Sequence, residues 1–414
     1  MVLVMLRKFL PREVWGLTTL VIARDFGDSL EAIVLPWSVL SMFKSILGAA
    51  AVFAIQSLPW VAIPAVAGYL IDVTSRRKLV SVFAVVTQVA ALVVITLIPQ
   101  KPPLGFIVAT TLFTLILVVS VCDNLINYFV TVSIPKLVGR DEVKLQEINS
   151  KLSIASRTAR VLGFVIAGPL TYFLGLKALV IDAAVLTASL IPLTLLTPWT
   201  KLARTAAEVR SELNSPKVST PLPKFVKYLF IAVIPFNYAV GSWRIFIINS
   251  LSKLPDKLGS ISYSLVNTSL ILTSLLGSVI ILKYVRRYGP KEFIKVGLIG
   301  ESIFVALLII PSLVTTSFIT LTTTALTIVS LLGLMDPLIN VSLNSIFQSR
   351  IKEEILGRVR GYFDSIATLA ITASELMTAY LIQYVTPNTN YLPLIYSIIC
   401  FIGALASIKV LETA

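Results

Sequence analysis

Long apolar runs broken by short charged segments recur along the whole chain. An α-helix rises about 1.5 Å per residue, so about 20 apolar residues cross a hydrocarbon layer about 30 Å thick. Runs of that length predict helical spans at 14–40, 46–72, 79–99, 104–134, 147–175, 178–198, 225–250, 260–283, 293–312, 314–347, 358–386 and 391–411, twelve in all. Several contain proline or glycine, as at Leu35-Pro36, Leu58-Pro59, Gly168-Pro169 and Asp336-Pro337, which predicts tilted or kinked helices. The opening MVLVML stretch precedes Arg7 and Lys8 instead of following them, and no small-residue cleavage site comes after it. A cleaved signal peptide is therefore not expected.

The longest polar interruption, Thr200 to Lys224, contains Ser215-Pro216, Pro221 and Pro223 and reads as a linker. It divides the chain into an amino-terminal half (1–199), a cytoplasmic linker (200–224) and a carboxy-terminal half (225–414). A weak internal repeat supports the division. At an offset of 213, Asp123-Asn-Leu-Ile-Asn127 meets Asp336-Pro-Leu-Ile-Asn340, and Asp141 meets Glu354. At an offset of 214, Gly27 meets Gly241, Asp72 meets Arg286 and Arg77 meets Lys291. Two six-helix halves related by a pseudo-twofold axis along the membrane normal fit this pattern.

Composition narrows the class. Only 14% of the 414 residues are charged, against about 25% in soluble domains, and mean hydropathy is +0.90. So few charges cannot coat the surfaces of a water-soluble enzyme of this length. The net charge of +14 acquires meaning from its placement. With the amino terminus in the cytoplasm, 26 Lys and Arg fall on the inner side, five on the outer side and four (Arg24, Arg157, Arg160, Arg244) within spans. That bias orients a multi-pass protein of the plasma membrane with both termini cytoplasmic. The basic excess then reports topology and not a nucleic-acid partner.

There is no histidine, so proton transfer near neutral pH would fall to carboxylates. Cys122 and Cys400 lie in apolar runs and read as small buried hydrophobes, with no disulfide framework or metal site expected. No Walker loop, Gly-x-Ser-x-Gly turn or metal-ligand cluster is present, so neither an enzyme nor a cofactor is expected.

The loop Gly68-Tyr-Leu-Ile-Asp72-Val-Thr-Ser75-Arg76-Arg77-Lys78 resembles the Gly-x-x-x-Asp-x-x-x-Arg-Arg/Lys loop between helices 2 and 3 of the major facilitator superfamily. The resemblance implies a cytoplasmic gate of Gly68, Asp72, Arg76 and Arg77 acting with Arg358, in Gly357-Arg358-Val359-Arg360-Gly361. Ser75 stands where the family often has Gly, and the second copy has Arg286 in place of the acid. The loop's basic residues also fit a plain topology anchor. Three further stretches are similar to the branch containing macrolide efflux pumps and enterobactin exporters: Phe26-Gly27-Asp28-Ser29-Leu30 to Leu35-Pro36, Ile134-Pro135 through Asn149-Ser150 to Gly168-Pro169, and Leu356-Gly357-Arg358-Val359. Gly163-x4-Gly168-Pro169 is similar to the helix-5 Gly-Pro motif of drug/proton antiporters, without its trailing Gly pair. The resemblance implies an all-α, twelve-helix secondary transporter that is functional as a monomer and works by alternating access. Its expected activity is proton-gradient-driven efflux of amphipathic small molecules. Facilitated or proton-coupled uptake, and lipid or lysophospholipid flipping, are the alternatives on the same fold.

Ionisable residues inside spans are costly and mark candidate pathways. Arg24, Asp28 and Glu31 follow i, i+4, i+7 spacing and share one helical face, with Asp25 one residue off that stripe. Such a face can line a pathway, with one acid carrying a proton. It can equally hold a fixed Arg24–Asp28 pair, or sit in water near the outer edge. Ser153, Arg157 and Arg160 form a second stripe, and Arg244 lies beside Trp243 in the seventh span. These arginines can hold an anionic substrate or pair with Asp123, Glu301, Asp336 and Glu375, as a pathway or as packing. Asp182 is expected near water at the outer end of its span. Phe236, Tyr238, Trp243 and Phe246 offer apolar contacts, either to a substrate or in packing.

Overall fold

The computed structural model describes residues 14–73, 77–100, 105–138, 142–202, 224–313, 317–350, 353–385 and 391–413, and all regular structure among them is helical. The helices are α1 (Trp15–Phe43), α2 (Ile46–Val73), α3 (Arg77–Thr96), α4 (Phe106–Val138), α5 (Glu142–Leu174), α6 (Leu179–Leu196), the short α7 (Trp199–Leu202), α8 (Lys224–Gly241), α9 (Trp243–Leu251), α10 (Asp256–Leu307), the short α11 (Ile310–Leu313), α12 (Phe318–Arg350), α13 (Glu353–Tyr380) and α14 (Leu392–Thr413). Most of the 200–224 linker, from 203 to 223, lies outside the described residues.

Eight stretches among the described residues are long and apolar enough to cross a membrane. α1 is not among them, because Arg24, Asp25, Asp28 and Glu31 take it below that standard. The expected spans at 260–283 and 293–312 form the two arms of α10, which a non-helical kink at Gly289 (φ 71°, ψ 167°), ahead of Pro290, separates. Only glycine adopts that backbone at little cost. On either side of the bend Ile281 and Phe293 both pack on Leu338 of α12. The expected span 225–250 is interrupted at Ser242, between α8 and α9.

The chain forms two compact units: residues 1–38 with 62–218, and residues 39–61 with 219–414. In the first unit α3 packs against α4 and α6. α1 is buried around much of its circumference, with Leu17, Leu20, Leu30 and Ile33 fully enclosed, as expected of a helix that is not confined to one apolar stripe. In the second unit α10 packs on α12 and α14, and α8 on α13 and α14. This unit also holds the hairpin at the end of α1 and the start of α2: Gln383 Oε1 accepts hydrogen bonds from Ser45 Oγ and from the Leu47 amide, each at 3.0 Å. Outward positions are large and apolar, including Phe83, Leu97, Phe106, Phe173, Leu195 and Ile319, all more than 65% exposed. A surface of that kind suits lipid, where burying apolar area against water gives no advantage.

Candidate functional site

Unit one gathers charge in its interior. Arg24 projects from α1 and is only 9% exposed. Its Nη1 donates to Asn127 Oδ1 of α4 at 2.7 Å, and its Nη2 meets Asp25 Oδ1 at 2.7 Å. Its Nε lies 3.4 Å from Asp123 Oδ1 of α4 and 3.9 Å from Asp28 Oδ2. Arg160 of α5 closes the group, with Nη2 3.1 Å from Asp25 Oδ1 and 3.5 Å from Asp28 Oδ2. Ser156 of α5 is also within hydrogen-bonding reach of Asp25. Three of the expected pathway residues, Arg24, Asp28 and Arg160, thus meet Asp123 as a fourth.

The closeness of α1 and α5 here depends on small side chains. A Cβ at Gly163 would lie 2.6 Å from the Phe26 carbonyl oxygen and 2.7 Å from Ser29 Cβ. Gly168 and Pro169 follow one turn further along α5, with Pro169 inside the helix. The cluster is not uniformly closed. Asp25 and Asp123 are 1% and 11% exposed, whereas Arg160 is 38% and Asp28 26% exposed. An acid and a base therefore present themselves on one open edge, backed by a buried ionic network.

Two residues that pattern reading set aside belong to this region. Asp25, off the α1 stripe, approaches both arginines more closely than Asp28 does. Asp182 of α6, expected near water, is 0% exposed. Depth along a helix cannot be read from hydropathy alone, and α1 covers this carboxylate by placing Gly27 directly against it. Glu31, one turn beyond Asp28 and 5% exposed, lies within hydrogen-bonding reach of Asp182. Asn127 is the other residue the sequence reading left without a role, although it stands in the repeated motif; Arg24 uses it as an acceptor.

Unit two holds smaller groups. Arg244 Nη1 of α9 lies 3.5 Å from Glu375 Oε1 of α13, which is fully buried while Arg244 is 42% exposed. The guanidinium sits over the rings of Phe53 and Trp243, 5.5 and 5.8 Å from their centroids. Glu301, 4% exposed, faces Asp336 of α12, whose Oδ1 accepts from Asn340 Nδ2 at 2.6 Å. Phe236, Trp243 and Phe246 are buried. Tyr238 and Phe246 pack against Tyr396, with centroids 5.7 and 5.8 Å away, and Tyr396 hydrogen-bonds Thr378 Oγ1 at 2.9 Å. Cys122 and Cys400 are buried and unlinked. Among the described residues no cluster of acids and thiols forms a metal site.

The expected gate falls at the end of α2 and the start of α3. Arg76 lies outside the described residues, and of Gly68, Asp72, Arg77 and Arg358 the structure describes the helical backbone alone.

Several solved transporter structures are similar in fold. The crystal structure of the nucleoside transporter NupG is similar over 97% of this chain and 100% of that one, with TM-score 0.73 at 14% identity. A bacterial homologue of the iron transporter ferroportin, in an inward-facing state, is similar over 96% and 98%, with TM-score 0.68 at 18% identity. The peptide-transporter-family protein PepTSo is similar over 98% of each chain, with TM-score 0.71 at 10% identity. Identities this low establish the fold alone. No curated protein matches the sequence significantly. Residues 17–375 match the family model of the Major Facilitator Superfamily, and the chain belongs to that family of membrane transporters.

Proposed function

We propose that this chain is a proton-coupled exporter of amphipathic small molecules, working by alternating access of two six-helix halves. The carrying observation is the open edge of the unit-one cluster, where Asp28 and Arg160 stay partly accessible while Arg24, Asp25 and Asp123 hold them from behind. A buried network is preorganised and costs little to hold in place when a substrate arrives. Partly exposed ionic groups inside a membrane helix are retained for contact with water or solute. Arg244, half exposed over Phe53 and Trp243, supplies a second contact in which a cation and aromatic faces are offered together. Twelve spans, both termini in the cytoplasm, residence in the plasma membrane and action as a monomer complete the proposal. So does gating by Asp72 with Arg76, Arg77 and Arg358.

Purified full-length protein in liposomes tests this reading, with ethidium as an amphipathic probe and a compound panel preselected by thermal stabilisation. An imposed pH gradient drives accumulation of the probe by the wild type, and Asp28→Asn reduces it at least several-fold. If neither ethidium nor any stabilising compound moves, the exporter reading is wrong. Accumulation of the opposite sign in cells replaces export by uptake.

A further inference from the structure

Unit one encloses five carboxyls, Asp25, Asp28, Glu31, Asp123 and Asp182, but its ionic cluster contains only two guanidiniums, Arg24 and Arg160. Arg24 is directed at Asp25, Asp28 and Asp123, and Arg160 at Asp25 and Asp28. None of the described ion pairs ends on Glu31 or Asp182. These two carboxyls, 5% and 0% exposed, lie within hydrogen-bonding reach of each other. Yet Glu31 Oε1 and both Asp182 oxygens are buried with no donor to accept from. Two carboxylates cannot hydrogen-bond one another. A hydrogen bond between them requires a proton on one, and an uncompensated pair of buried anions is the costliest arrangement available.

We propose that Glu31 and Asp182 together form a proton-binding site, a buried acid–carboxylate pair, and that the coupling proton is loaded there. The proposal rests on the proton-coupled reading above and assigns it a place. Loading transfers one proton from water to a carboxylate oxygen of the pair, and unloading returns it to water; no other bond changes. The main ionisable neighbours are Asp28 on the same helix and Asp123 on α4, both acids, and among the described residues no ion pair brings a cation to the pair. Asp28 and Asp123 differ from the pair because Arg24 reaches both. Gly27 contributes sterically: any side chain there would strike the Asp182 carboxyl and separate it from α1. Because the two acids share the proton, their titration belongs to the pair and not to either residue.

Infrared spectra of the purified full-length protein read this directly. At neutral pH the wild type shows the carbonyl stretch of a protonated, buried carboxylic acid, and the band fades in alkali. Glu31→Gln and Asp182→Asn each shift or diminish that band, and the E31Q/D182N double variant lacks it. A band unchanged in the double variant, or absent from the wild type, overturns the proposal. Both substitutions are nearly isosteric, and size-exclusion elution checks folding; if Asp182→Asn does not fold, Glu31→Gln carries the same test. In liposomes, ethidium accumulation by Asp182→Asn falls to the level seen without a pH gradient, whereas accumulation equal to wild type overturns the coupling role. If the wild type moves no probe, the exporter reading fails while the infrared result still decides the pair.

Discussion

The same short motif serves two different ends in the two units. In unit one Asp123 and Asn127, four residues apart on α4, both turn to Arg24. In unit two their repeat counterparts Asp336 and Asn340 hydrogen-bond each other at 2.6 Å, and the residue facing Asp336 is another acid, Glu301. The residue that stands 213 before Glu301 is Gln88, a buried neutral amide on α3. The two copies of the motif thus share their polar positions, while in unit one the arginine of α1 draws both side chains to itself. A repeated motif identifies where polar side chains will stand; the cation that reaches them decides what they do.

Removing that cation breaks the comparison most severely. Arg24→Ala leaves Asp25 and Asp123 buried without their main counter-charge, a loss of about 3–5 kcal/mol. The expected outcome is a collapse of folded yield and of melting temperature in detergent, far beyond the effect of Asn340→Ala, which removes only a neutral partner in unit two. The paired glycines sharpen the contrast at an intermediate level. A Cβ at Gly241 would lie 2.7 Å from Ile371 Cα and 2.9 Å from its carbonyl oxygen, which are backbone atoms. At Gly27 it meets only the Asp182 side chain. Gly241→Ala therefore costs more than Gly27→Ala, within the range of about 1–3 kcal/mol for overpacking, and paired melting curves rank them. The smallest effect belongs to Phe53→Leu, which removes one aromatic face under Arg244 for about 0.5–1 kcal/mol; the same melting assay reads it beside Trp243→Leu.

Much of the architecture was legible because its signals are local. Hydropathy marked nearly every helix within a few residues, and the i, i+4, i+7 spacing singled out the face bearing Arg24, Asp28 and Glu31. What spacing could not show is which helices approach it. Asp25 lies about 100° around α1 from Arg24, yet Arg160 arrives from α5 to meet it at 3.1 Å. The position of Asp182 near the end of its span points to water; its burial is set by α1, whose Gly27 admits the close contact. The two runs on either side of Gly289 were legible as separate helical stretches, and the structure keeps them apart with a non-helical glycine just before proline.

The boundary between the units cuts through helices. Residues 39–61, the end of α1 and the first half of α2, belong with residues 219–414, and they are fastened there by Ser45 and Leu47 on Gln383 and by Phe53 under Arg244. A chain made from its amino terminus delivers this hairpin long before its packing partners exist. All residues of the first unit are made by position 218, but the hairpin inserted between its two segments then has none of its own partners, so synthesis does not deliver the two units as one finished module after the other. The hairpin must wait, partly unclad, for the last part of the chain, and a fragment ending at the linker would leave it exposed as a sticky apolar segment.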